Sequence, residues 1–235
     1  MKEKEVIENL RQVKEVFDRY NIEFWLDSGI LLGLVRSNRP ISWDNDLDLG
    51  MWRKDITKIK VGTSAYNELC SQGFDIYFLP DKVILEKNNF PINVSLFFLK
   101  DGKAMREPYL LYGKNKLGKI LRSLWWLFSV SYYGNALKLK TIAVKITQVL
   151  PKNLREGIAT LFLRIGKKFG CREIIWTVPQ KFFTNFPEIT FQGVKFKVPN
   201  ELEDYLAFRY GHDWRIPKKE WDSLTQDGAI EKKIP

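Results

Sequence analysis

The sequence contains few of the residues from which disulfide frameworks and zinc sites are built. Its 235 residues include two cysteines, Cys70 and Cys171, and one histidine, His212. The cysteines lie far apart and lack the short spacing of metal-ligand pairs, so we interpret them as reduced thiols of a cytosolic protein. A single histidine adds no zinc site. These shortages argue against a disulfide-rich secreted scaffold and against a zinc-binding domain.

Long apolar runs are scarce as well. The N-terminus is charged and has no apolar run, so we expect no signal peptide. Residues 123–137 carry no charge, but as a helix they would measure roughly 22 Å, short of the roughly 30 Å hydrocarbon core of a bilayer. We therefore expect no membrane-spanning helix in this stretch. A content of 45 % apolar and 14 % aromatic residues allows a sizeable core, in one large domain or in a small domain with an insertion.

Acidic residues are scarce in the middle of the chain. The net charge is +10. Residues 103–172 contain fifteen Lys and Arg but only two acidic residues, which gives this segment a net charge of +13. Two interpretations of residues 103–172 remain open: a packed helical insertion with solvated lysines, or a cationic surface for an anionic membrane or polymer. Nucleic acid is an unlikely partner, because no nucleic-acid-binding motif occurs and the charge is confined to one apolar-rich segment.

Hydrophobic spacing predicts a chain of mixed helices and strands. Helices are predicted at 6–20, 55–72, 158–169 and 200–211, strands at 42–51, 74–79, 82–87 and 92–100, and a hairpin at 189–199. These elements divide the chain into an α/β core (1–107), a basic, apolar-rich helical insertion (108–172) and a C-terminal hairpin and helix that complete the same domain (173–235).

Three aspartates alternate with other residues in "ISWDNDLDLGMW". On an extended strand Asp44, Asp46 and Asp48 would share one face, while Leu47 and Leu49 would point into the core. Carboxylates at this spacing raise each other's pKa, and a bound divalent cation reverses that penalty. Hard oxygen ligands without a nearby His or Cys favour Mg²⁺ or Mn²⁺. The alternative, a polar loop with aspartates in turns and caps, is disfavoured by the apolar alternation.

A Ser-Gly pair precedes the aspartates in "LDSGILLG". Ser28 and Gly29 stand where a strand passes into a helix, so backbone N–H groups, the hydroxyl and the helix dipole could bind a phosphate. Arg36 and Arg39 follow in the loop and could hold phosphate oxygens. A plain turn and surface charges are the simpler alternatives for these residues when each is taken alone.

The two motifs together resemble the LicD/fukutin family of the nucleotidyltransferase (polymerase-β-like) superfamily. The resemblance rests on "WLDSGILLGLVR" and "ISWDNDLDLGM", and "FQGVKFKVPNELEDYLAFRYGHDW" is similar to the family's closing motif. It covers residues 20–52 and 180–222. It implies an α+β fold, a nucleotidyltransferase-like mixed sheet flanked by helices, with the basic helical insertion in the middle. It also implies transfer of phosphocholine, ribitol phosphate or a similar phospho-alcohol from a CDP-linked donor to a hydroxyl of a cell-surface glycan.

The resemblance implies a role for each matching residue. Asp46 and Asp48 would be the Mg²⁺ (or Mn²⁺) ligands, and Asp44 would complete the catalytic set. The donor-binding residues would be Ser28, Gly29, Gly33, Arg36 and Trp43. The terminal hairpin and helix would be mainly structural. Trp25, Trp43 and Trp176 could stack on a base or sugar, although core packing is the commoner role of such residues.

The chain departs from the family pattern at one position. A third carboxylate is expected on a later strand, and "NVSLFFLKDG" places Ser95 there. A neutral serine cannot serve as a carboxylate ligand or as a general base near neutral pH. Three explanations stay open: Asp44 takes over the role, Glu86 or Asp75 reaches the site, or the chain is a catalytically silent nucleotide- or glycan-binding relative.

The resemblance also implies partners and a location. The donor would be a CDP-linked small molecule, and the acceptor a glycan or lipid-linked glycan of the kind modified in lipopolysaccharide or teichoic acid. The basic middle segment would hold the enzyme at a membrane where such glycans are made. We therefore expect a cytoplasmic protein, either free or peripheral on the inner face of the plasma membrane.

Overall fold

The computed structural model describes residues 3–111, 116–132, 139–169 and 171–231. The α-helices are α1 (Glu3–Arg19), α2 (Ser28–Ser37), α3 (Ser64–Ser71), α4 (Lys116–Ser129), α5 (Leu139–Thr147), α6 (Lys152–Lys168), α7 (Leu202–Tyr210) and α8 (Ser223–Gln226). The strands are β1 (Phe24–Leu26), β2 (Leu47–Trp52), β3 (Asp75–Phe78), β4 (Lys82–Lys87), β5 (Phe90–Lys100), β6 (Lys103–Arg106), β7 (Tyr109–Leu111), β8 (Ser131–Tyr132), β9 (Arg172–Ile174), β10 (Thr177–Pro179), β11 (Glu188–Phe191) and β12 (Val194–Lys197). The predicted α+β class, a mixed sheet flanked by helices, is confirmed.

The main sheet is built around β5. Its path runs β1-β2-β5-β4-β3-β8, and β6 joins β5 to β10. β5 pairs in parallel with β2 and antiparallel with β4, while its C-terminal end pairs with β6. The parallel pairing places Asp48 of β2 beside Asn93 of β5. This register decides which polar side chains share one face of the sheet.

One face of β2 belongs to the main core. Leu47 and Leu49 are buried there together with Leu10 and Phe17 of α1, as their alternation with the aspartates predicted. Because successive side chains of a strand point to opposite faces, Asp48 is directed away from this core. Further along the same face Trp52 packs on Trp25, so the polar part of this face is confined to the start of β2.

Two predicted boundaries are wrong. The strand predicted at 42–51 begins only at Leu47, and residues 42–46 form turns and loop. The single helix predicted at 55–72 is a 3₁₀ helix, Arg53–Ile59, followed by α3. The break between them contains Gly62 with φ +87°, a left-handed conformation that glycine adopts without strain and that cannot continue a helix.

Several predicted elements are confirmed. The strands predicted at 74–79, 82–87 and 92–100 correspond to β3, β4 and β5, and β11 pairs with β12 as the predicted hairpin. Its turn, Gln192-Gly193, has positive φ at both residues, the geometry of a tight hairpin turn. The segment predicted as a helical insertion contains α4, α5 and α6 but also β7 and β8, and β8 pairs with β3 of the main sheet. Residues 112–115, 133–138 and 170 lie outside the described ranges. No helix among the described residues is long and apolar enough to cross a membrane.

Candidate active site

The three aspartates line one cavity of about 650 Å³. Only Asp48 lies in β2, while Asp44 and Asp46 lie in the loop before it. The Asp44 carboxylate is turned toward the start of α2, because a Cβ on Gly29 would lie 2.1 Å from Asp44 Oδ2. The three carboxylates therefore reach the cavity from a loop and one strand residue, and not from one strand face as the sequence predicted.

Asn93 is the residue of β5 that contacts the aspartates. Its Nδ2 lies 2.6 Å from Asp46 Oδ2 and 3.4 Å from Asp48 Oδ1. Ser95, where the sequence comparison places the missing third carboxylate, is buried and is paired with Gly50 of β2, outside the cavity lining. The β2–β5 register thus supplies a neutral amide at the point where a third carboxylate was expected.

Neither predicted substitute for that carboxylate lies in the cavity. Glu86 is buried in β4, and Asp75 of β3 accepts a hydrogen bond of 2.8 Å from the Tyr132 hydroxyl. The hypothesis that one of them compensates for Ser95 is therefore not supported by their positions. Asp44 does line the cavity and remains the candidate for this role.

The close carboxylates change each other's protonation. Burial raises the pKa of Asp48 to about 7, and the charges of Asp46 and Asp27 act in the same direction. The pKa of Asp46 is raised first by burial and then by the charge of Asp44. The pKa of Asp44 is raised by burial and by the charge of Asp48. Negative charge is thus held together here at an electrostatic penalty that a cation would relieve.

The Ser-Gly turn opens α2 beside the aspartates. Asp27 is the N-cap residue, and its carboxylate accepts a hydrogen bond of 2.8 Å from the Ser28 N–H. Ser28 has φ +47°, an unusual conformation for a residue other than glycine. The Asp27 N–H donates to the Asp48 carbonyl at 3.0 Å, so the turn is attached to β2. Ser28 and Gly29 line the cavity, and their binding of a donor phosphate stays a prediction.

The other predicted donor-binding residues occupy different positions. Arg36 lines the cavity, and its buried Nε has no hydrogen-bond partner among the described residues. Trp43 lines the cavity with an exposed ring, 5.7 Å from Lys219 Nζ. Gly33 lies outside the lining, and a Cβ on it would come within 2.7 Å of the Arg39 carbonyl oxygen. Gly33 therefore permits the Arg39–Ile41 loop to cross α2 closely.

Sequence reasoning missed a buried charge network behind the turn. Arg209 of α7 donates to Asp227 at 2.7 Å, to Asp27 at 3.0 Å and to Ser28 Oγ at 3.1 Å. The Tyr205 hydroxyl also donates to Asp27. Both partners of Arg209 are almost fully buried, and Arg209 itself lines the cavity. The terminal helix thus holds the Ser28 turn in place, beyond the mainly structural role implied by the resemblance.

A second ion pair on the cavity wall was also missed. Arg106 of β6 donates to Asp81 at 2.9 Å, and Lys82 Nζ lies 3.3 Å from Asn93 Oδ1. Two guanidinium groups lie near the Trp176 ring, that of Arg106 at 5.3 Å and that of Arg209 at 4.0 Å from its centre. No local motif marks these residues, because they come from β4, β6 and the C-terminal third and meet only in the folded chain.

The insertion contributes to the same cavity. Arg122, Trp125 and Trp126 of α4 belong to its lining. Six of the eight tryptophans line it, whereas Trp25 is buried in the core, stacked on Phe186. The cations of the lining are Arg36, Lys82, Arg106, Arg122, Arg209, Lys218 and Lys219. Such a wall of cations and rings suits an anionic ligand that also carries a planar or sugar group.

The carboxylates fit a hard divalent cation only in part. Asp46 Oδ2 and Asp48 Oδ1 both accept a hydrogen bond from the Asn93 amide nitrogen, so the two carboxylates lie side by side at one point of the cavity. Among the described residues no group of three His, Cys, Asp or Glu side chains could hold a metal ion. Mg²⁺ commonly binds one or two carboxylates and completes its shell with water and substrate phosphate. The residues present fit such a two-carboxylate site.

Comparison with known proteins relates part of this fold to a known family. Residues 21–109 match the family described as LicD/FKTN/FKRP, nucleotidyltransferase domain. This stretch contains the Ser-Gly turn, the three aspartates and Asn93. The resemblance to the LicD/fukutin family is therefore confirmed over residues 21–109.

Curated relatives point in the same direction. The chain is 39 % identical over 113 residues to ribitol 5-phosphate transferase FKRP of Homo sapiens, covering 44 % of this chain and 22 % of that protein. It is 27 % identical over 207 residues to ribitol-5-phosphate transferase FKTN of Mus musculus, covering 86 % of this chain and 31 % of that protein. Uncharacterized protein RP689 of Rickettsia prowazekii (strain Madrid E) is 39 % identical over 46 residues, 20 % of this chain and 17 % of that protein. The chain spans less than a third of the length of these relatives.

Among solved structures the chain is similar to the crystal structure of ANT(2")-Ia in complex with adenylyl-2"-tobramycin. The TM-score is 0.32 and the sequence identity 11 %, covering 66 % of this chain and 95 % of that chain.

Proposed function

We propose that this chain is a metal-dependent phosphotransferase. It would move a phospho-alcohol, such as ribitol phosphate or phosphocholine, from a CDP-linked donor to a hydroxyl of a cell-surface glycan. The observation that carries the proposal is the convergence of Asp46 and Asp48 on Asn93 inside a cavity lined by cations and tryptophans. The names of FKRP and FKTN, both ribitol-5-phosphate transferases, support this class of substrate.

The donor diphosphate would bind near the start of α2. Ser28 and Gly29 stand at the N-terminus of this helix, where free N–H groups and the helix dipole favour an anion. Arg36 lies about two turns further along the helix, and its buried Nε has no hydrogen-bond partner among the described residues. A phosphate oxygen would satisfy it. Asp46 and Asp48 would hold Mg²⁺ or Mn²⁺, which when bound neutralises charge on the donor diphosphate.

The reaction moves one phosphorus atom. The acceptor hydroxyl oxygen forms a bond to the phosphorus that carries the alcohol, the bond from that phosphorus to the bridging oxygen breaks, and CMP leaves. Asp44 would accept the proton of the acceptor hydroxyl. Its raised pKa favours this role, because a carboxylate with a pKa closer to neutral is the stronger base. Positioning by Arg36 and the Ser28 turn would hold the donor for this attack.

Aromatic side chains at the cavity would bind the cytosine or the acceptor sugar. Trp43 is exposed at the lining, and Trp221 and Trp214 also border the cavity. Rings of this kind stack on planar bases and on the apolar faces of sugars. Trp25 is not available for this role, since it is fully buried in the core.

A silent nucleotide- or glycan-binding relative is the second candidate. The observation that favours it is Asn93, a neutral amide beside two carboxylates. An amide cannot replace a carboxylate as a base. This candidate predicts binding of CDP compounds by calorimetry without release of CMP.

Product release separates the two candidates. The protein is incubated with CDP-ribitol, CDP-glycerol or CDP-choline, Mg²⁺ and a glycan acceptor, and CMP is measured. We expect Asp46→Asn and Asp48→Asn to lower CMP release at least 100-fold, because each removes a charged metal ligand. Asp101→Asn is the matched control, an exposed turn residue of left-handed conformation that asparagine also tolerates. Full activity in both cavity variants would disprove the assignment, and nucleotide binding without CMP would establish the silent relative.

A further inference from the structure

Exposed apolar side chains are concentrated in the helical insertion. Of the twelve large apolar residues exposed in the described part of the chain, eight lie in or next to α4, α5 and α6. They are Leu117, Ile120, Ile142, Ile146, Val149, Leu154, Leu161 and Phe169. We call these eight residues the insertion surface. Isolated exposed apolar residues are ordinary, but a concentration of them marks an interaction site.

Helix α5 and the turn after it carry the most exposed apolar side chains of the insertion surface, although the same helix also has a well-buried face. Ile142, Ile146 and Val149 recur at helical spacing and are 41, 67 and 85 % exposed. Thr141 and Thr147 are buried instead, and the Thr147 hydroxyl donates to the Val144 carbonyl at 2.8 Å. Thr141, Val144 and Thr147 thus form the buried face of the helix, and its two isoleucines are exposed where polar side chains would be expected.

Helices α4 and α6 each carry a similar stripe. In α6, Leu154 and Leu161 are exposed two turns apart, with the half-buried Ile158 between them. In α4, Leu117 and Ile120 are exposed one turn apart. α4 packs against both α5 and α6, so the stripes belong to one group of helices.

Positive charge accompanies these stripes. Residues 116–169 contain eleven Lys and Arg and one acid, Glu156. Exposed Lys145 follows Ile142 in α5, and exposed Arg164 and Lys168 follow Leu161 in α6. A second copy of the chain docked here would bring two strongly cationic segments together. An anionic bilayer satisfies both properties, because it offers anionic headgroups and an apolar interior.

We infer that the insertion surface binds anionic membranes in the plane of the bilayer, with its apolar side chains at the headgroup boundary and the neighbouring Lys145, Arg164 and Lys168 on the headgroups. α4 also lines the cavity with Arg122, Trp125 and Trp126. Membrane binding therefore places one wall of the cavity beside the bilayer. If the proposed transferase function holds, this brings a lipid-linked acceptor to the site, but membrane binding itself does not depend on that function.

Vesicle sedimentation tests the inference. The whole protein is mixed with vesicles of neutral phosphatidylcholine or of phosphatidylcholine with 30 % phosphatidylglycerol, and the partition coefficient is measured. We expect partition at least tenfold stronger into the anionic vesicles, with a steep decrease at high salt. Ile142→Gln with Ile146→Gln should lower it at least tenfold. Arg164→Gln with Lys168→Gln should lower it by about fivefold for each charge removed.

Matched variants keep the test decisive. Val61→Gln with Leu99→Gln alters two equally exposed apolar residues outside the insertion and should leave partition unchanged. Asp46→Asn should also leave it unchanged, which separates this inference from the proposed chemistry. Equal partition into neutral and anionic vesicles, or no loss in the Ile142/Ile146 variant, would overturn it. So would self-association or salt-dependent RNA binding through the same residues in the absence of vesicle binding.

Discussion

Arg209 Nη2 donates a hydrogen bond of 3.1 Å to Ser28 Oγ, and this contact joins residues 181 positions apart. The same guanidinium is held by Asp227 on one side and by Asp27 on the other. Ser28 begins α2 and lines the cavity beside the aspartates. Arg209, in the C-terminal segment, thus holds the Ser28 turn in place by hydrogen bonds that the N-terminal third of the chain cannot supply.

Removing this guanidinium should destabilise the protein strongly. Arg209→Met leaves Asp27 and Asp227 buried without their cation, so we expect the free energy of unfolding to fall by about 3–5 kcal/mol. Urea denaturation measures it. Arg215→Met is the control, because the Arg215–Glu203 pair is exposed and such pairs contribute about 1 kcal/mol or less. Equal losses in the two variants would show that the buried network is not a main source of stability.

A carboxylate added to β5 should strengthen metal binding when it replaces Asn93 but not when it replaces Ser95. Asn93→Asp adds a negative charge beside Asp46 and Asp48, so we expect about tenfold tighter Mn²⁺ binding and a less stable metal-free protein. Ser95→Asp buries a charge outside the cavity lining and should lose stability without gaining affinity. Titration with Mn²⁺ by calorimetry measures both. A gain in Ser95→Asp alone would show that Ser95 occupies the metal-ligand position.

The raised pKa of Asp48 predicts how stability changes with pH. With a native pKa of about 7, the native state keeps a proton that the unfolded state loses above about pH 4. The free energy of unfolding of the metal-free protein should therefore fall as the pH rises from about 4 to about 7. Asp48→Asn removes this term, so we expect it to be more stable than the parent chain at pH 8 by about 1–3 kcal/mol.

Thermal denaturation of the two proteins at pH 4 and pH 8, with and without Mg²⁺, checks this dependence. The difference between them should be small at pH 4, and saturating Mg²⁺ should stabilise the parent chain at pH 8 and leave the variant unchanged. A difference that is the same at both pH values would contradict the raised pKa of Asp48.

Gly50 of β2 should not tolerate a side chain. A Cβ there would lie 2.2 Å from the Trp25 ring, and a fully buried ring has no room to move. We expect Gly50→Ala to lower the free energy of unfolding by about 1–3 kcal/mol. Gly157→Ala lies in α6 with nothing within 4 Å, and should stabilise the protein by about 0.5–1 kcal/mol. Opposite signs in denaturant unfolding are the expected result, and two losses would contradict it.

Local sequence patterns correctly predicted the elements in which the order of apolar and turn residues matches the burial seen in the structure. Alternation of apolar residues identified β3, β4 and β5, and a Gln-Gly pair identified the β11–β12 turn. Alternation was misleading in residues 42–46, since a loop with turns can show the same polar and apolar order as a strand. The helix predicted at 55–72 was wrong because Gly62 needs a left-handed conformation there, and periodicity carries no information about φ.

The family's two motifs, read in order, led to the Ser28 turn and to Asp44, Asp46 and Asp48, all of which line one cavity. They did not lead to the groups around them. Asn93, Arg106 and Arg209 come from separate elements, and no short motif contains any pair of them.

The sequence alone determines a cluster of three aspartates, a Ser-Gly pair before them and a cationic middle segment, because each is formed by residues close together in the chain. Only the tertiary structure decides that Asn93 and not Ser95 faces the aspartates, because strand register depends on the pairing of β2 with β5. Only the tertiary structure, too, brings Arg209 into contact with Ser28 and places α4 in the lining of the cavity. Contacts across such distances are set by packing of the whole core, which no local spacing records.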